Sequence, residues 1–427
     1  MELISLGNSV DGLFVENKRF KTTVVSFNFY TPLCFETASE NALLIYVLSS
    51  CSKKYESFRK LNFALSLLYG ASVNVAVNKL GDIQLMQIAV SVINDEFSLD
   101  GSSVVSKAVE LLESLIFEPK TENGRFFTED VERERRKLGE LIAAEINDKR
   151  RFARNRLFEE AFKGQPFGIS ALGTEKSLKS VTEEDLYNAW KRLLKTSYLR
   201  VNVIGKSLPD GIFENISEKF SKIERNVEPD FKKCRVLQKT DEVKSFSDKL
   251  DVAQGKLVMG FSSETCGPEA YDLLIATDIF GGGPYSKLFE NVREKMSLCY
   301  YCSARPIASK GFVYVDSGVE KENAEKAKKA ILEQLQSVKN GDFSDFTFDA
   351  SLKNIVCGIK SANDRIFALD SWYASKIFTD TIKSPEESAE AVQNVTREQV
   401  IKAANGIDLH TVYEIIPSGN GGADNAD

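Results

Sequence analysis

Several of the residues able to do chemistry in this 427-residue chain fall in one stretch, FGGGPYSKLFENVREKMSLCYY (280–301). It contains Gly281–Gly283, an amphipathic dozen residues, Arg293 and Tyr300 seven positions apart, and Cys299, which opens a C-x-x-C with Cys302. Glycines ahead of a helix invite a phosphate-loop reading, but GxxxxGK[ST] is absent and no dinucleotide fingerprint follows a strand. They read instead as a helix end and a tight turn into the next helix. The segment SLCYYCSARP reads as a strand, which sends the two thiols to opposite faces. No second cysteine pair completes a zinc site, so the C-x-x-C reads as structural. By residue type alone, Arg293 and Tyr300 read as a surface ion pair and a core-edge tyrosine. His410 is the single histidine and lies in an apolar strand pattern, LHTVYEII (409–416), so it reads as structural. Histidine zinc triads and Ser-His-Asp or Cys-His arrangements are thereby excluded. Among the 62 acids no pair stands out in an apolar setting of the kind that shifts pKa values.

The elements that position these residues come from a chain long enough for two domains of roughly 200 residues each. Composition is that of a soluble globular protein, with 43% apolar, 10% aromatic and 27% charged residues. A net charge of −7 leaves no surplus to neutralise phosphates, which argues against nucleic acid. No run of 18 apolar residues appears, and the start MELISLGNSVDGLFVENKRF lacks the regions of a signal peptide, so a cytoplasmic protein away from the membrane is expected. Seven irregularly spaced cysteines fit a reducing compartment.

An internal echo organises the rest. FTEDV (127–131) is matched by FTFDA (346–350), VTEEDLYNA (181–189) by VTREQVIKA (395–403), and ELLESLIFEP (110–119) loosely by AILEQLQSVK (330–339), all 214–220 residues apart. Three pairs in one order at nearly one offset indicate a duplicated domain. In the first half, TTVVSFNFYT (22–31) sets Val25, Phe27 and Phe29 on one face against Ser26 and Asn28 on the other, and 72–78 and 82–92 alternate similarly. Period two with one wet face predicts α+β domains, each a mainly antiparallel sheet covered by helices on one face. Helices are expected over 104–117, 128–163 (Thr128 as N-cap), from Thr182 and from Thr396, the last two with capping boxes, and over 209–223. Strands are expected at 197–206, 256–263 and 409–416. A polar linker near 224–242 places the domains at 1–225 and 226–416, and 417–427 reads as a disordered tail.

The stretch 280–301 resembles the C-terminal-domain signature of the M16 (insulinase or pitrilysin-type) peptidases, roughly GGG-x-x-S-R-L-F-x-x-V-R-E-K-x-x-L-x-Y. ERERRKLGELIAAEINDK (132–149), KGQPFGISALGTEKSLKSVTEEDL (163–186) and DVAQGKLVMGF (251–261) resemble family segments in the family's order. The likeness covers nearly the whole chain and implies two homologous domains of the M16 metallopeptidase (LuxS/MPP-like) fold. Phrases such as LLYGASVNV and INDKRRFARNRL look most like its non-catalytic YmfF-like branch, in subfamily B.

The departure from the family matters as much as the match. Active members carry H-x-x-E-H on a helix after the first strands, two imidazoles holding zinc and a Glu polarising the attacking water. The equivalent stretch here, NALLIYVLSSCSKKY (41–55), contains no histidine and no acid, and Ala42, Ile45 and Tyr46 stand at those positions. Glu145 matches the family's third ligand, but one carboxylate does not hold zinc, so it reads as a solvated or paired helix residue. The resemblance therefore implies a chain without zinc or other cofactor that is not an enzyme on its own. Arg293 and Tyr300 match the family's Arg/Tyr pair, which acts across the assembled chamber. There the tyrosine donates to the developing oxyanion and the arginine supports the substrate backbone. The expected partner is an H-x-x-E-H paralogue carrying the zinc, forming a heterodimer for peptide proteolysis, with self-dimerisation as the alternative. A non-catalytic peptide- or protein-binding subunit is the rival reading, with a link to elongation factor P modification that the branch suggests.

Overall fold

A computed structural model describes residues 1–227, 235–379 and 381–418. Residues 419–427 of the expected tail and part of the expected linker thus lie outside the described residues, whereas Pro417, expected in the tail, ends the last strand instead. Two compact units form, each discontinuous in sequence: 1–143, 169–233 and 362–377 make the first, and 144–168, 234–361 and 378–427 the second. The single cut at 225/226 is therefore crossed twice, because residues 144–168 cluster with the second half and 362–377 with the first.

The first unit is a six-stranded sheet built from β1 (Glu2–Gly7), β2 (Val10–Glu16), β3 (Thr22–Pro32), β4 (Ser72–Leu80), β5 (Ile83–Ile93) and β6 (Tyr198–Gly205). Their order is β1-β2-β6-β3-β5-β4, antiparallel except for the β2–β6 pair. Val25, Phe27 and Phe29 point into the main core with α1 (Phe35–Leu48) and helix Val104–Phe117. The single helix expected over 128–163 is instead two, α2 (Thr128–Asn147) and α3 (Lys149–Ala161). Asp148 breaks it by capping α3, its side chain accepting from the Arg151 amide at 3.0 Å. Thr182 and Thr396 cap their helices with complete boxes, as their spacing predicts.

The second unit has β7 (Lys244–Leu250), β8 (Gly255–Ser263), β9 (Cys299–Ile307), β10 (Phe312–Val319) and β11 (Ile407–Pro417), in the order β9-β10-β8-β11-β7. Only β7–β11 is parallel, and β9 lies at one edge. Leu257, Met259, Val313 and Val315 face one core with α4 (Tyr271–Gly281) and α5 (Leu288–Lys295), the latter wound as a π-helix. Val258, Phe312, Tyr413 and Ile415 face the other way, onto Leu157, Phe158 and Phe162 of α3 and its C-terminal end. Among the described residues no helix is long and apolar enough to cross a membrane.

The expected wet face of β3 is not wet. Ser26 and Asn28 are fully buried beneath α6 (Ile366–Ser375), a helix from late in the chain. Asp370 of α6 accepts from Ser26 Oγ and Asn202 Nδ2 at 2.8 Å and from Gln87 Nε2 at 3.0 Å. Tyr30 Oη donates to Ala374 O at 2.8 Å, and Arg200 Nη1 to Lys376 O at 3.1 Å. The alternation of β3 was legible, but the polar partners 344 residues away were not.

Candidate functional site

The positions aligned with the family's zinc motif carry apolar and phenolic side chains, two of them in the core. Ala42 and Ile45 lie on the buried side of α1 with no accessible surface, inside the main apolar cluster, and Tyr46 packs half-buried beside them. Burial, and secondarily the Glu134 carboxylate, push the Tyr46 hydroxyl pKa up, so it stays a neutral phenol. Glu134 is itself committed, accepting from Arg133 Nε at 2.9 Å and Lys137 Nζ at 3.0 Å. Asp130 on the same helix meets Lys120 at 3.0 Å and Arg133 at 2.8 Å. Glu145, in the last turn of α2, has Oε1 2.6 Å from an Arg151 nitrogen and Oε2 accepting from Asn155 at 3.3 Å. Among the described residues no group of three or more His, Cys, Asp or Glu converges as a metal site. His410 is buried in β11 with Nδ1 2.7 Å from Thr411 Oγ1. Desolvation, with Lys244 nearby, lowers its pKa.

Arg293 and Tyr300 are brought together by three local features. Glycines are required first, because a Cβ on Gly281 would sit 2.6 Å from the Ala304 amide and one on Gly282 1.9 Å from Asp278 Oδ1. That Asp278 is pinned by Tyr285 Oη at 2.6 Å and Asn354 Nδ2 at 2.8 Å, so the turn packs tightly against the strand. Leu288 and Val292, four apart, then anchor α5 in the core, leaving Arg293 at the surface. The wide π turn closes with Met296 N donating to Asn291 O at 2.9 Å, and Ser297 reverses the chain in the left-handed region at φ 53°. Finally, β9 carries a bulge: Cys299 pairs with Val319 and Tyr301 with Gly318, leaving Tyr300 as the extra residue. A bulge re-aims a side chain, and Tyr300 stands 66% exposed. Arg293 Nε donates to the Tyr300 carbonyl at 2.9 Å, while its guanidinium lies 4.5 Å from the Phe289 ring centroid. A cleft of about 410 Å³ opens here, lined by Arg293, Glu294, Leu298, Tyr300, Glu320 and Asn323 among others. Glu320 and Asn323 carry no sequence signal that would have singled them out.

The same bulge corrects the reading of the C-x-x-C. One extra residue between Cys299 and Cys302 restores parity, so both thiols enter the same apolar core instead of opposite faces. The arrangement offers a fixed cation, an exposed phenol and the free edge of β9 beside a cleft. Such groups can hold an extended peptide and donate to a carbonyl oxygen. The guanidinium and the phenol bind and donate; they do not themselves activate a water.

Residues 180–355 match the family described as "Peptidase M16 inactive domain". The chain is 30% identical over 414 residues to the "Probable inactive metalloprotease YmfF" of Bacillus subtilis (strain 168), covering 96% of this chain and 97% of that one. Among solved structures, a conserved protein from Enterococcus faecalis V583 superposes with a TM-score of 0.88 at 24% identity, over 100% of this chain and 99% of that one. A peptidase M16 inactive domain from Pseudomonas fluorescens gives 0.76 at 15% identity, over 98% of each chain.

Proposed function

Because this chain belongs to the M16 peptidase family, in its inactive YmfF-like branch, we propose that it completes another chain's active site. It pairs with a zinc-bearing H-x-x-E-H paralogue and presents Arg293 and Tyr300 to a peptide held there. The observation that carries this reading is a contrast. Of the positions aligned with the zinc motif, Ala42 and Ile45 are core residues and Tyr46 is a half-buried phenol, whereas the bulge in β9 leaves Tyr300 turned outward. Arg293 ties down the backbone carbonyl of Tyr300, the residue that carries the phenol. A phenol O–H aimed at a carbonyl would stabilise the negative charge developing on its oxygen during hydrolysis, for which the partner would hold the zinc. Here only the donor belongs to this chain.

The test is co-expression with the nearest H-x-x-E-H paralogue, followed by sizing and peptidase assays of each chain and of the pair. A complex is expected that cleaves peptides where this chain alone does not. Tight binding of one zinc per chain, or cleavage by this chain unaided, overturns the proposal. A complex that binds peptide without cleaving it supports the rival reading as a binding subunit, for which a role in elongation factor P modification is one setting.

A further inference from the structure

We propose that Cys299 and Cys302 form a reversible dithiol/disulfide site beside the Arg293–Tyr300 cleft, oxidised by exchange with a small-molecule disulfide. The inference goes beyond the paired-peptidase reading and does not depend on it. On a regular strand, thiols three residues apart point to opposite faces about 10 Å apart, beyond the reach of a disulfide. The Tyr300 bulge removes that obstacle by placing both side chains in one buried cluster. Their access differs. Cys299 lines the cleft, whereas Cys302 lies behind it in the core.

The electrostatics follow the same order. Hydrogen bonding from the Cys302 thiol, with the Arg293 charge adding, lowers the Cys299 pKa, while the same contact and burial push Cys302 well up. Cys299 is thus the entry sulfur. Its thiolate attacks one sulfur of the reagent disulfide RSSR and expels RS⁻, leaving a mixed disulfide. Cys302 then gives up its proton and attacks the Cys299 sulfur, expelling the second RS⁻. Overall, RSSR and two protein thiols become one protein disulfide and two RSH, with two electrons passing to the reagent.

The test is peptide mapping by mass spectrometry after exposure of the full chain to glutathione disulfide and alkylation of the remaining thiols. A Cys299–Cys302 bond that dithiothreitol reverses is expected, with Cys302→Ser retaining glutathione on Cys299. The exposed Cys266 and Cys357 serve as references for unselective reaction. The proposal is overturned if Cys299 and Cys302 stay fully alkylatable while those two take up glutathione. It is equally overturned if Cys302→Ser is modified no faster at Cys299 than at Cys266. Should Cys302→Ser fail to fold, the wild-type map alone decides.

Discussion

Helix α1 and the α5–β9 segment are both places where the family resemblance locates function, and they have been treated in opposite ways. On α1, Ala42 and Ile45 are sealed in an apolar cluster. Around Tyr300, a π turn, a left-handed serine and a bulge combine to hold an aromatic side chain in water. The contrast teaches that a metal site is lost by filling, since apolar residues in its place stabilise the fold. An exposed phenol gains nothing comparable, which directs attention to what it meets outside the chain.

The contrast breaks most visibly at Ile45. Ile45→Glu puts an unpaired carboxylate into the apolar cluster, and a loss of at least about 4 kcal/mol is expected in urea unfolding. A near-neutral outcome would mean that the α1 face is open after all. Asp370 sharpens the point, because this carboxylate is tolerated in the same unit only where three donors meet it. Asp370→Ala strands those donors, and a loss of about 3 kcal/mol is expected by the same measurement.

The wild-type Asp370 also gives stability a pH dependence. Desolvation raises its pKa to about 6 despite the hydrogen bonds from Asn202, Ser26 and Gln87. The folded pKa lies above the unfolded value near ~3.9. The contribution is therefore fully present below that unfolded value and is lost as pH rises through 6. Between pH 7 and pH 5 the folded state should gain about 1 kcal/mol from this group. Comparing urea midpoints with those of Asp370→Asn, which lacks the titration, checks the sign. The smallest effect is expected at the open site: Tyr300→Phe should change stability by less than about 0.5 kcal/mol. A larger loss would make Tyr300 structural and erase the contrast.

Much of this was legible in the sequence, for reasons that differ by element. The duplication, the strands at 22–31 and 72–92 and the Thr182 and Thr396 caps follow from local period and spacing, which neighbouring residues decide. The Arg293–Tyr300 stretch was found through its motif, but the bulge was not, and that one residue reversed the facing of Cys302. The break at Asp148 was hidden because the charged pattern runs on through it. Strands β1, β2, β7 and β10 went unread, β1 and β7 because edge strands with half-exposed faces carry little apolar periodicity, β2 because its pattern is short and interrupted by Gly12, and β10 because burial on both faces leaves no clean alternation. The exchange of α3 and α6 between the halves rests on contacts far apart in sequence, such as Ser26 with Asp370, that no local pattern encodes.

The most direct test of the central claim is the peptidase activity of the complex with the zinc-bearing paralogue, measured with wild-type chain and with Tyr300→Phe. The account predicts an unchanged complex with kcat lowered by about 100-fold, the effect of removing one oxyanion donor. Wild-type kcat from the Tyr300→Phe pair would contradict it.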